Sequence, residues 1–179
     1  MKKMWIILLV MFIISCEVSE TIYEYPDCIT KPNQIAESYG CGNIFVYQYL
    51  DSLRVLTVSI NGSEVNLTKK CQTIDLDDSN LHSSVVLEIV GDNPDSVYFN
   101  YCTDVALINM GTTKKYKATS GKLYFSVSED NPIREPVWQS SYFVRIKIEN
   151  LHLYNQEENN EIILDEIVYW DVRVGWMPG

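Results

Sequence analysis

Tyr142-Phe143-Val144-Arg145-Ile146-Lys147-Ile148-Glu149-Asn150-Leu151-His152-Leu153 is the stretch whose reading decides the fold. Tyr142, Val144, Ile146 and Ile148 fall on one side of a two-residue repeat, and Phe143, Arg145, Lys147 and Glu149 on the other. Successive side chains of an extended backbone point to opposite faces, so a period of two with one apolar side is the pattern of a half-buried antiparallel strand. The pattern slips at Asn150, because Leu151 and Leu153 then occupy positions that belong to the charged side. One inserted residue returns them to the core, and a β-bulge is expected there.

Downstream, Gln156 to Asn160 reads as a polar turn. The last strand, over 161–174, is expected to put Val168, Trp170, Val172 and Val174 inward and Tyr169, Asp171 and Arg173 outward. Upstream, strand-like runs cover 44–50, 53–60, 72–76, 83–90, 96–102, 105–110, 115–119 and 122–128, with Gly91-Asp92-Asn93-Pro94-Asp95 and Ser120-Gly121 as punctuation. Asn61-Gly62 is a hairpin signal, since both residues tolerate the positive φ of a type I′ turn, and a short strand over 64–67 is expected to fold back on 54–60. No segment carries a helical period with caps. About ten short strands spaced by turn signals predict an all-β domain, an antiparallel β-sandwich with a partly closed β-barrel as the alternative. Twelve tyrosines and four tryptophans, alternating with aliphatic and polar residues, suit such strands.

Residues 17–42 hold Pro26, Pro32, Gly40 and Gly42 among polar residues and show no periodicity, so they read as a tether and irregular lead-in, with the domain spanning 43–179. Ahead of them, Lys2 and Lys3 precede an unbroken apolar run from Met4 to Ile14 that ends at Ser15 and Cys16. This is the pattern of an export signal. An eleven-residue helix reaches about 17 Å, short of the roughly 30 Å of membrane hydrocarbon, so the run is a leader over 1–15 and not the lasting anchor.

Ile13-Ile14-Ser15-Cys16 resembles a bacterial lipobox. The resemblance implies cleavage before Cys16, acyl chains such as palmitate on it, and a membrane partner reached through that lipid. Glu17 and Glu20 look like the acidic stretch that sends Bacteroidota lipoproteins to the outer face of the outer membrane, although Val18 and Ser19 separate them here. The ending, from Ala118-Thr119-Ser120-Gly121 to Gly175-Trp176-Met177-Pro178-Gly179, is similar to uncharacterised Bacteroidota lipoproteins and implies no activity. Asp51-Ser52-Leu53 and Asp95-Ser96-Val97 look like the sites at which exported proteins of that group receive O-glycans.

Five cysteines is an odd number, which leaves one thiol to explain in an exported chain. With Cys16 lipidated, Cys28, Cys41, Cys71 and Cys102 form an even set for an oxidising compartment, with Cys28 to Cys41 and Cys71 to Cys102 the expected pairs. Without the leader the chain carries 12 basic and 24 acidic side chains, a formal charge of −12. That balance excludes nucleic acid as a partner, because phosphate binding needs clustered cations. Lys114, Lys115 and Lys117 are expected to be solubilising charges on a turn or edge strand.

Chemistry is sparsely signalled. The only histidines are His82 and His152, and the cysteines lack C-x-x-C spacing, so no metal site or cofactor is expected. Asp75, Asp77 and Ser79 stand at calcium-loop positions one, three and five, but Asn80 and Val86 stand where glycine and glutamate are required. There is no G-x-S-x-G elbow, and the chain is read as a non-enzyme. Trp138, between two strands, and Trp176, near the end, are the candidate rings for stacking on a ligand. The reading is a lipid-anchored envelope interaction or accessory module; the alternative is a surface glycan-binding protein of a polysaccharide-uptake system.

Overall fold

The computed structural model describes residues 28–77, 82–90, 101–102, 113–136 and 139–175. These residues contain no helix and eight strands: β1 (Ser38–Cys41), β2 (Phe45–Tyr49), β3 (Arg54–Ile60), β4 (Gln72–Asp75), β5 (Ser83–Val90), β6 (Thr113–Val127), β7 (Ser141–Asn155) and β8 (Asn160–Gly175). All described pairings are antiparallel, in the order β1-β2-β3-β5-β6-β7-β8, with β4 on β6. The sheet curls into a half-barrel, and its two ends meet where the Gly175 amide donates to the Gly42 carbonyl at 2.7 Å. Gly40 also passes β8 closely there, since a Cβ on it would lie 2.7 Å from a Val174 methyl. The leader, Cys16 and the tether to residue 27 lie outside the described residues, as do 96–100 and 105–110 of the expected strands. The sheet itself starts at Ser38, within the stretch read as lead-in.

The bulge at Asn150 is present. Ser120 faces His152 and Lys122 faces Glu149, so β7 spends one residue more than β6 across this interval, and Asn150 turns to φ 49°. Ile146 and Ile148 before it, and Leu151 and Leu153 after it, are all fully buried. Opposite, Ser120-Gly121 is not a break between two strands. Gly121 takes φ 141° against the Asn150 and Leu151 backbone, and β6 runs on while exchanging its neighbour β5 for β4. A glycine inside a strand can mark a bulge and close approach instead of a turn.

A second bulge corrects the phase of the last strand. Val144 faces Val172 but Ile146 faces Tyr169, so β8 carries an extra residue, and Asp171 absorbs it at φ 50°. Tyr169 therefore points inward and is fully buried, its hydroxyl crossing the interior to donate to the Leu56 carbonyl at 2.9 Å. Val168 and Trp170, expected inward, lie half-buried on the opposite face, while Val172 and Val174 are in the core as expected.

Asn61-Gly62 does not close a hairpin either. The Asn61 side-chain carbonyl accepts from the Ser63 hydroxyl at 2.8 Å, and the amides of Glu64 and Val65 donate to the Asn61 backbone carbonyl, which winds a helical-type turn. No strand forms over 64–67; Val65 and Leu67 fold into the core, and β5 takes the place beside β3, with Ile60 opposite Ser83.

Candidate functional site

The four cysteines are bonded as Cys28–Cys71 and Cys41–Cys102, which corrects the expected pairing of sequence neighbours. Disulfides form where the fold brings Cα atoms to about 4.4–6.8 Å. Here those separations are 6.3 Å and 5.7 Å, across 43 and 61 residues of sequence. The lead-in is thus fastened to the start of β4, and the end of β1 to a point beyond β5. Two disulfides place the protein in an oxidising, non-cytoplasmic compartment.

The Cys41–Cys102 bond borders the most distinctive surface of the molecule. On the outside of β2 and β3, Tyr47, Val55 and Val90 form a second apolar cluster, with Phe45, Tyr49, Tyr101 and Cys102 packed on it. The core on the inner side holds Val46, Leu56 and Val58, so these two strands are covered on both faces. The rings pack edge to face and in stacks: Tyr39 on Tyr47 at 5.2 Å with 20° between planes, Tyr47 against Tyr101 at 5.1 Å and Phe45 against Tyr101 at 5.6 Å. Such pairs add to burial through the quadrupoles of the rings. Tyr39, 39% exposed, is the outermost member of this pile. Burial, reinforced by the neighbouring Glu88 carboxylate, pushes the Tyr101 hydroxyl well above the ordinary tyrosine range. Glu88 is itself nearly buried, and Lys115 offsets its charge at 3.1 Å.

The three lysines lie at the start of β6. Lys117 is laddered on both sides, to Val86 and Tyr154, whereas Lys114 and Lys115 are laddered to β5 alone; Lys114 pairs with Glu158 and Lys115 with Glu88. A groove of about 730 Å³ runs beside them, lined by Lys115, Lys117, Thr113, Thr119, Tyr154 and the turn after β7. Tyr154 is 37% exposed, and its hydroxyl donates to the Asn159 side chain at 2.6 Å, which fixes the ring. A smaller notch of about 380 Å³ opens beside Lys117, where β6 changes partner between β5 and β4.

On the far part of the sheet, the Arg145 guanidinium lies 3.7 Å over the Trp170 ring and holds the Asp171 carboxylate with two hydrogen bonds, at 2.7 and 3.1 Å. Trp170, expected inward, is instead a stacking partner on the outside.

Trp138 and Trp176, the rings expected to stack on a ligand, lie outside the described residues, as do Cys16, Asp78, Asp92, Asp95 and the Asp95-Ser96-Val97 tripeptide. Ser52 is exposed in the turn between β2 and β3. There, Asp51 accepts from the Leu53 and Arg54 amides and from the Arg54 guanidinium; although burial opposes it, these bonds hold its pKa below the ordinary value. Among the described residues no three His, Cys, Asp or Glu side chains converge on a metal position. Each histidine stands beside one glutamate at the surface, His82 with Glu64 at 2.5 Å and His152 with Glu161 at 2.7 Å. Ser120 is opposite His152 in the ladder, and the described hydrogen bond of the His152 ring is the one with Glu161. No family model matches the chain, and no curated protein and no solved structure is detectably similar to it.

Proposed function

We propose that the chain is an exported lipoprotein, cleaved before Cys16 and acylated on it, whose domain serves as a non-enzymatic interaction or accessory module on the outer membrane of a Bacteroidota-type cell envelope. One observation carries this reading: Cys28, Cys41, Cys71 and Cys102 satisfy one another, which leaves Cys16, at the end of the leader-like run, as the one cysteine of five outside these two bonds. A lipidated terminus and a disulfide-fastened domain belong to the same compartment. The ten-stranded sandwich is the proposed complete fold, supported by the covering of β2 and β3 on both faces. The test is cell fractionation with protease shaving: the native protein should sediment with membranes and be removed from intact cells, and Cys16→Ala should release it. A variant that fractionates as before would defeat the anchor.

Glycan binding is the second reading, favoured by the exposed, hydroxyl-anchored Tyr154 ring beside Lys117 and the threonines of the 730 Å³ groove. Retardation in polysaccharide affinity gels that is lost in Tyr154→Ala would support it; no retardation on neutral or acidic polysaccharides would sink it.

A further inference from the structure

Strand β8 is bonded to β7 from Asn160 to Gly175, yet on its other side only Gly175 is bridged to another described residue, Gly42. Among the described residues, 160–171 thus have no strand on that side, an edge of about 40 Å. Proteins normally blunt such edges with lysine, proline, short strands or a covering segment, because a row of unpaired amides and carbonyls is a template for another strand. Residues 160–171 contain no Lys, Arg or Pro. The inward side chains Ile162, Leu164 and Ile167 pack on the core but are only half-buried, since no described strand flanks them on this side. Ile163 points outward and, at 55%, is the most exposed large apolar side chain among the described residues.

The charge of this edge selects its occupant. Glu161, Asp165, Glu166 and Asp171 all lie on it. Glu161 is matched by His152 and Asp171 by Arg145, whereas Asp165 and Glu166 are exposed and make no salt bridge with a described residue, Glu166 feeling only the longer-range charge of Lys147. A second copy pairing through its own β8 would set acids against acids, and like charges directly opposite destabilise a ladder. A strand with lysine or arginine on alternate positions would meet the outward acids and lay its apolar residues beside the inward, half-buried Ile162 and Leu164. We propose that the free edge of β8 takes up an extended basic segment of a partner protein by strand addition, the main-chain ladder giving affinity and the acids giving selectivity. This rests on the interaction-module reading and gives that module a partner chemistry.

The test uses the mature chain in detergent and three labelled peptides of about ten residues: alternating Lys-Val, alternating Glu-Val, and Lys-Pro, which keeps the charge but lacks half the ladder amides. Fluorescence anisotropy should show Lys-Val bound at least about tenfold more tightly than either control, a difference of about 1.4 kcal/mol. Hydrogen exchange should slow over 160–169 when it binds. The double variant D165K/E166K should lose Lys-Val and gain Glu-Val. Equal binding of Lys-Pro would reduce the effect to bulk charge and overturn the proposal, as would slowed exchange elsewhere but not in β8, or an unchanged preference in the double variant. Each of these failures with a chain that still carries acyl groups on Cys16 leaves the anchored-module reading standing and removes only the edge site.

Discussion

Two adjacent residues, Tyr169 and Trp170, should respond unequally to truncation, and the size of the difference follows from the bulge at Asp171. Tyr169 is wholly enclosed and its hydroxyl donates to Leu56 O at 2.9 Å. Removing a buried aromatic ring costs about 3–5 kcal/mol through lost transfer energy and the cavity left behind. Tyr169→Phe keeps the ring and should cost about 1 kcal/mol, the net worth of one hydrogen bond. Trp170 lies half-buried on the outer face under Arg145, at 3.7 Å, where a cation over a ring contributes about 0.5–2 kcal/mol. Denaturant melts of a Cys16→Ser chain measure all three. In thermal melts a domain of this size loses about 2–4 °C per kcal/mol, so Tyr169→Ala should fall by about 6–20 °C and Trp170→Ala by less than half as much. If Trp170→Ala proved the more damaging of the two, β8 would keep an unbroken alternation and the bulge would be absent.

The bonding of the cysteines is checked by non-reducing peptide mapping, which should recover Cys28 with Cys71 and Cys41 with Cys102; a Cys28 to Cys41 peptide would contradict the fold. In the chain-entropy account, loops closed across 43 and 61 residues each stabilise by about 4 kcal/mol, so Cys28→Ser/Cys71→Ser should lower the denaturation midpoint by an amount equivalent to about 2–4 kcal/mol. Burial raises the pKa of the Tyr142 and Tyr169 hydroxyls above the ordinary value near 10, and burial with the Glu88 charge does the same for Tyr101. An acid that is harder to ionise when folded stabilises fully below its unfolded pKa and less as pH climbs above it. Stability should therefore be insensitive to these groups below about pH 10 and fall beyond it, with part of the phenolate absorbance emerging only as the chain unfolds. Phenolates that all appear together near pH 10 in a chain still folded by circular dichroism would refute the burial.

Of the bulges at Asn150 and Asp171, one is legible in the sequence and one is not, for a definite reason. At Asn150 the apolar residues change parity, from Ile146 and Ile148 to Leu151 and Leu153, and the sequence displays the inserted residue. Before Asp171 there is no such trace, because Val168 and Trp170 continue the parity of Val172 and Val174, and every position of that parity is apolar. Only the interior, with room for a tyrosine whose hydroxyl reaches β3, decides that Tyr169 goes in. Asn61-Gly62 and Ser120-Gly121 were read by their local turn tendencies, but the strand arriving at Ser83 and the backbone of Asn150 and Leu151 determine what each does. The disulfides and the outer ring cluster are long-range contacts, joining Tyr39 and Cys41 to Tyr101 and Cys102 across strands whose order no spacing reveals. The acidic character of β8 is visible in the sequence; that no described strand lies beyond it follows from sheet order alone.

Intact mass of the protein purified from native membranes, combined with a thiol count, tests the central claim most directly. The account predicts a product that begins at Cys16, carries the added mass of acyl chains, and shows no free thiol among Cys28, Cys41, Cys71 and Cys102. A product that retains residues 1–15, or one with Cys16 unmodified and palmitate label absent, would contradict it.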